Sequence, residues 1–318
     1  MAALASRGGG QLWAITSYFN PAGYRRRLLN YHRFREGLEV PLACIEWSRD
    51  GHWELEPGNA DILVRVSGGD VMWQKERLLN RLLSALPSRC TRVAWLDCDI
   101  VFREPGWGRQ AASLLDEFPL IQLFRDVHYM PPEWESTGLV PEQATRTRHS
   151  LVSGIGPGRT VEECLVHPSP AQRPGTYNNG LAWAARRELV ETHGLFDANI
   201  IGGGDRALSC AAYGAADHAV HWHHMGAHHE AHYRRWAEAF YQDVRGKVAF
   251  LGTEILHLWH GDARHRGLAT RHAGLGAFDF DPLSDLALDC NGCWRWNSDK
   301  PAMHRFVRDY FASRQEDG

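Results

Sequence analysis

The sequence predicts an α/β fold: a central, mostly parallel sheet finished by a C-terminal extension. Two observations carry this expectation. Apolar, β-rich runs at 12–16, 41–45, 62–66 and 93–96 alternate with segments of helical periodicity at 24–37 and 70–86, the order that builds crossovers between parallel strands. Polar and acidic residues gather where those runs end, as they do at the ligand-binding edge of doubly wound sheets.

The first strand, 12–16, runs into Ser17-Tyr18-Phe19-Asn20-Pro21, an aromatic-Asn turn. Residues 24–37 form a basic amphipathic helix with Leu28, Leu29, Tyr31 and Phe34 inward and an arginine-rich face in solvent. The second strand, 41–45, is closed by Glu46, and 52–57 and 62–66 supply further strand material. Between Asp70, a plausible N-cap, and Pro87, the residues Val71, Leu78, Leu79, Leu82, Leu83 and Leu86 recur at helical spacing. Trp73, Arg77 and Asn80 form a separate stripe on that helix. The strand 93–96 ends in Asp97 and Asp99. In extended backbone, residues i and i+2 share a side about 7 Å apart, so both carboxylates can face one hard cation with its phosphate ligands; a plain turn is the competing reading.

Beyond it, 109–118 reads as a helix and 120–124 as a short strand. Residues 126–176, rich in Pro, Gly, Ser, Arg and Thr, read as a long loop that would close as a lid; the Gly-rich piece 153–158 lacks the Lys-Ser/Thr helix of a phosphate-binding loop. The block 177–205 gives a strand at 181–184, a helix at 186–193 ended by Gly194, then Phe196-Asp197 and three glycines before Asp205, which opens the next helix. Seven histidines between His218 and His232 invite a zinc reading, but the spacing misses the His-Glu-x-x-His arrangement. An aromatic wall with Trp222, Tyr233 and Trp236 is preferred. Residues 253–271 hold a strand with His257 and His260 at its tip, followed by Arg264, Arg266 and Arg271. A helix at 301–314 closes an extension expected to pack at an edge.

Helix with Arg77-Leu-Leu-Asn80, short loop, apolar strand and Asp97-Cys-Asp99 in that order resembles the glycosyltransferase A superfamily. The block 177–205 is similar to the acceptor half of galactosyltransferase-like and family-two enzymes, with Gly-Gly-Gly-Asp where they carry Gly-Gly-Glu-Asp, and 253–271 resembles their C-terminal metal-ligand segment. The resemblance implies a Rossmann-like glycosyltransferase A domain over 1–266, with a donor half at about 11–125, a lid at 126–176 and an acceptor half at 177–266; residues 267–318 form the extension. It implies Mn²⁺ or Mg²⁺ held by Asp97, Asp99 and His260, with His257 in reserve. A nucleoside-diphosphate sugar, UDP-linked by preference, would be bound by Ser17, Tyr18, Asn20, Glu46, Arg77, Asp97, Asn179, Gly180 and Arg264. Asp205 would be the base for an acceptor hydroxyl in an inverting displacement, although a helix-start carboxylate is a weak base. Nucleotidyl transfer and non-catalytic sugar or nucleic-acid binding are the alternatives. A glycan, a metabolite or a hydroxymethylated DNA base fits as acceptor.

Composition narrows the setting. The 318 residues are 44% hydrophobic and 23% charged with a net charge of -3, which suits a globular protein with no global pull toward nucleic acid or anionic membrane. Lys75, Lys247 and Lys300 are the only lysines beside abundant arginine. Seven scattered cysteines suggest reduced thiols and a cytoplasmic setting, and Cys290-Asn-Gly-Cys293 reads as a turn rather than a metal pair. No apolar run has the length of a membrane span.

Overall fold

The computed structural model of the chain describes residues 10–155, 159–165, 177–267 and 270–318. The first twelve strands are β1 (Gln11–Phe19), β2 (Leu42–Ser48), β3 (Ile62–Ser67), β4 (Cys90–Leu96), β5 (Ile100–Phe102), β6 (Leu120–Gln122), β7 (Asp126–Tyr129), β8 (Arg146–Ser150), β9 (Tyr177–Asn178), β10 (Ala182–Arg186), β11 (Val248–Phe250) and β12 (Glu254–His257). The main sheet runs β11-β6-β10-β4-β1-β2-β3. Its strands share one direction except β10, which opposes both neighbours, so the architecture is mixed α/β on a large, mostly parallel sheet. Helices cover both faces, which is why β4 reads as an unbroken apolar run: Val93, Ala94, Trp95 and Leu96 are all buried.

A second sheet, β5-β12-β7-β8-β9, creates the site. The chain leaves the main sheet after Leu96, turns through Asp97-Cys98-Asp99, and enters the second sheet at Ile100. Asp97 N–H donates to Leu181 O of the main sheet at 2.8 Å, while Asp99 O accepts from Leu258 N–H just beyond β12 at 2.8 Å. Antiparallel pairing sets His257 opposite Ile100. The two acids therefore sit on the hinge between sheets, and backbone pairing carries the late histidines to that hinge.

Several elements differ from the sequence expectation for identifiable reasons. The helix foreseen at 70–86 is Lys75–Leu82 with a short 3₁₀ turn after it. Its first residues are spent elsewhere: Asp70 accepts the Trp296 N–H and Trp73 N–H donates to Ile200 O. Residues 52–57 are not a strand; Glu46 holds the N–H groups of Glu54 and Leu55 instead. The stretch 126–176 is not all loop, since β7, β8 and the helices Leu151–Gly154 and Val161–Leu165 lie within it. β8 is mostly exposed, so it lacked the apolar signal. Residues 156–158 and 166–176, with much of the expected lid, lie outside the described residues. The C-terminal segment carries the hairpin β13 (Leu286–Leu288) and β14 (Trp294–Trp296) and the helix Pro301–Ala312, whose Met303, Val307 and Phe311 are buried in the core. Its last residues then run beneath the hinge.

Candidate functional site

A cleft of about 320 Å³ opens where the two sheets part, lined by the ends of β1 and β4, by β8 and β9, by the loop before Asp205 and by the C-terminal segment. At its floor Asp99, His257 and His260 each offer an atom, all within 4.8 Å of one another. His260 Nε2 is 3.2 Å from Asp99 Oδ2, His257 Nε2 is 3.8 Å from Asp99 Oδ1, and the two Nε2 atoms are 3.3 Å apart. Burial, reinforced by Asp97, raises the Asp99 carboxyl to about 7; Arg27 and Arg266 oppose the rise. Burial and then Arg266 push His260 down to about 3, and burial and His260 push His257 well below its usual range, so both imidazoles are neutral.

The chemistry of this donor set fits a divalent ion. Asp99 Oδ1 is shielded from solvent and accepts no hydrogen bond among the described residues. Arg266 Nη2 lies 2.8 Å from His260 Nε2; a guanidinium only donates, so that nitrogen presents a lone pair to the cluster. An ion competes with Arg266 for it. One carboxylate with two imidazoles is a Mn²⁺-like set more than a Mg²⁺ one. Beneath it lies Glu316, buried, with Arg27 Nε and Arg314 Nε each 2.6 Å from its oxygens and His260 Nδ1 at 3.9 Å. Burial would raise the Glu316 carboxyl, but Arg27, His260 and Arg314 hold it far below the carboxylate range.

Asp97 does not join the cluster. The i, i+2 argument assumed extended backbone, whereas the chain turns at Cys98 and Asp99. Asp97 Oδ1 instead meets Lys75 Nζ at 2.5 Å, and the same ammonium lies 3.5 Å from Asp205 Oδ2. Burial works against the Lys75 charge, but Asp205 and Asp97 overrule it and hold its pKa well above normal. Burial raises Asp205 while Lys75 opposes, and burial lifts neighbouring Glu76 to about 7. Asp205 reaches this position because Gly180 has no side chain: a Cβ there would lie 2.7 Å from Asp205 Oδ2.

Of the other residues singled out from sequence, Ser17, Asn179 and Gly180 line the cleft. Tyr18, Asn20, Glu46, Arg77 and Arg264 do not. Tyr18 points away because side chains alternate along β1; its hydroxyl donates to Glu54 at 2.8 Å. Asn20 is engaged with Tyr24 and Glu54 at the start of the first helix. Glu46 organises residues 54–55. Arg77 pairs with Asp197 at 3.1 Å, and Asn80 grips the same turn. The side chain of Arg264 is 76% exposed and pairs with Asp262. Of the expected aromatic wall, Trp222 lines the cleft; Tyr233 is in the core, its hydroxyl donating to Ala207 O, and Trp236 donates to His193 O. The histidine-rich segment forms no metal cluster among the described residues.

Sequence reasoning missed Lys75, Tyr129, Arg314 and Glu316, and read Arg27 as part of a solvated helix face. Nothing local set Lys75 apart from Lys247 and Lys300; the two carboxylates it meets come from other parts of the chain.

No family model matches the chain, and no curated protein matches it in sequence. Among solved structures it is similar to glucosyl-3-phosphoglycerate synthase from Mycobacterium tuberculosis in complex with Mn²⁺, uridine diphosphate and phosphoglyceric acid, at 14% identity over 88% of this chain and 82% of that one, with a TM-score of 0.40. It is similar also to 4-diphosphocytidyl-2C-methyl-D-erythritol synthase from Anaerococcus prevotii, at 12% identity over 77% of this chain and 88% of that one, with a TM-score of 0.34. A mycobacterial protein is 14% identical over 94% of this chain and 89% of that one, with a TM-score of 0.38.

Proposed function

We propose that the protein is a metal-dependent glycosyltransferase that moves a sugar from a nucleoside diphosphate to an acceptor hydroxyl. The observation carrying this reading is the Asp99-His257-His260 cluster at the hinge of two sheets, with arginines around it and a second carboxylate, Asp205, across the cleft. Asp99, His257 and His260 would hold the ion, which when bound supplies Lewis-acid neutralisation of the departing diphosphate. Arg146, Arg148 and Arg266 line the same wall and would share the phosphate charge. Ser17, Phe19 and Trp73, at the carboxyl end of β1 and before the Lys75 helix, would meet the nucleoside.

In the displacement, the acceptor oxygen forms a bond to the anomeric carbon and the bond from that carbon to the β-phosphate oxygen breaks, its electron pair staying on the diphosphate. The hydroxyl proton passes to Asp205. Lys75 shapes that carboxylate: it opposes the rise that burial imposes on Asp205 and fixes it between Gly180 and the start of its helix. A UDP-linked donor and an inverting displacement are the first combination to test.

The test is isothermal titration of UDP-sugars and GDP-sugars with and without Mn²⁺, followed by product analysis. Metal-sharpened donor binding and release of nucleoside diphosphate are expected. Release of pyrophosphate would instead identify nucleotidyl transfer, and donor affinity indifferent to Mn²⁺ in wild type and in Asp99→Asn would remove the reading.

A further inference from the structure

The end of the cleft on the Asp205 side holds two guanidiniums, Arg206 and Arg271, beside the imidazoles of His223 and His272. Arg206 stacks over Trp222 at 4.2 Å and spends Nη1 on Leu165 O and His218 Nε2, at 3.1 and 3.0 Å. Arg271 donates to the Tyr310 hydroxyl at 2.5 Å and to His272 at 3.4 Å. Among the described residues neither guanidinium has a carboxylate partner, in contrast to Arg27 and Arg314, which share Glu316. The His223 and His272 rings stand 4.4 Å apart, and among the described residues neither ring nitrogen of His223 has a hydrogen-bond partner although only 4% of the residue is exposed. A buried polar group left unpaired is costly, and a buried cation such as Arg206 without a counter-ion is costlier still.

The backbone leaves room for these groups. Gly202 and Gly203 both have positive φ, and a Cβ on Gly203 would fall 2.5 Å from His223 Nε2 and 3.0 Å from His272 Cε1; one on Gly202 would fall 3.1 Å from an Arg271 nitrogen. The same glycines lead into Asp205, so the basic recess and the carboxylate proposed as base belong to one turn.

From this we infer that the recess of Arg206, His223, Arg271 and His272 is a subsite for an anionic group, a phosphate monoester or carboxylate, on a small acceptor whose hydroxyl is presented to Asp205. It rests on the transferase reading for the word acceptor, but not for the anion. Arg206 and His223 are 8% and 4% exposed, so a terminal anion reaches them and a mid-chain phosphodiester of a nucleic acid does not. The nucleoside diphosphate is served by a different set of cations at the hinge.

Inorganic phosphate is the probe, titrated calorimetrically into full-length protein loaded with Mn²⁺ and excess UDP, in wild type, Arg271→Gln and His223→Gln. The expected result is phosphate binding that UDP does not compete away, weakened at least tenfold in each variant, with UDP affinity unchanged. In wild type loaded with diamagnetic Mg²⁺ in place of Mn²⁺, the imidazole NMR signals of the buried histidines should shift on phosphate saturation, which keeps the inference testable where a variant fails to fold. No phosphate binding, binding abolished by UDP, or equal binding in folded variants would overturn it; so would a single-stranded oligonucleotide displacing phosphate. If UDP fails to bind with Mn²⁺ while the phosphate result holds, the subsite stands and the transferase reading falls.

Discussion

Replacing Lys75 with methionine tests the electrostatic frame of the cleft most directly. Its ammonium lies 2.5 Å from Asp97 and 3.5 Å from Asp205, with the lysine side chain 14% exposed. At an effective dielectric of about 20 those contacts correspond to roughly 7 and 5 kcal/mol of Coulomb attraction, most of it offset by taking three charges out of water. Truncation of one partner in such a network leaves the others stranded, and the net loss is about 3 kcal/mol after allowing for the partial exposure of both acids, 27% and 28%. For a chain of 318 residues this lowers Tm by roughly 4–5 °C. The assay is calorimetric unfolding of wild type, Lys75→Met, Asp97→Asn and the double variant at pH 7. The double variant should regain a large part of the loss, because one stranded carboxylate becomes an amide. A single variant melting with wild type, or strict additivity in the cycle, would refute the reasoning.

Four further outcomes are expected. Asp99→Asn, His257→Ala and His260→Ala should each weaken Mn²⁺ binding at least tenfold by electron paramagnetic resonance titration, while Arg264→Ala, fully outside the cleft, leaves it unchanged. Glu316→Gln removes the shared partner of Arg27 and Arg314 and should cost about 3 kcal/mol in denaturant unfolding, with a several-fold loss of Mn²⁺ affinity; unchanged values in both would dismiss a role for the tail. Arg77→Ala should lower stability by about 1–3 kcal/mol through the Asp197 turn with UDP affinity intact, the opposite of what a nucleotide ligand would show. For Glu76, whose folded pKa of about 7 lies above the ordinary 4.5, the protonated form favours the fold, so its stabilisation is full below about 4.5 and is lost as pH rises through about 7. Glu76→Gln should therefore match wild type near pH 4.5 and exceed it by up to about 3 kcal/mol at pH 8 in denaturant unfolding; a gap that does not change with pH would contradict the assignment.

Helical and strand periodicity, and the punctuation of glycine, proline and acid between them, lie in local sequence, and from them the mostly parallel sheet, the strand ending at Leu96, the glycine turn before Asp205 and the late strand carrying His257 could be read. Which side chains meet could not. Whether two acids in Asp97-Cys-Asp99 point together depends on a turn that exists because the chain changes sheets there, and the pairing of β5 with β12 joins positions more than 150 residues apart. The same limit hid Lys75 between two carboxylates and sent Arg77, Glu46 and Tyr18 to structural partners. It also turned the C-terminal tail, unremarkable in sequence, into the floor beneath His260. Residue type and spacing set what chemistry the chain can carry; long-range backbone pairing and burial choose which of those groups share one low-dielectric space, and only there do their charges act on each other.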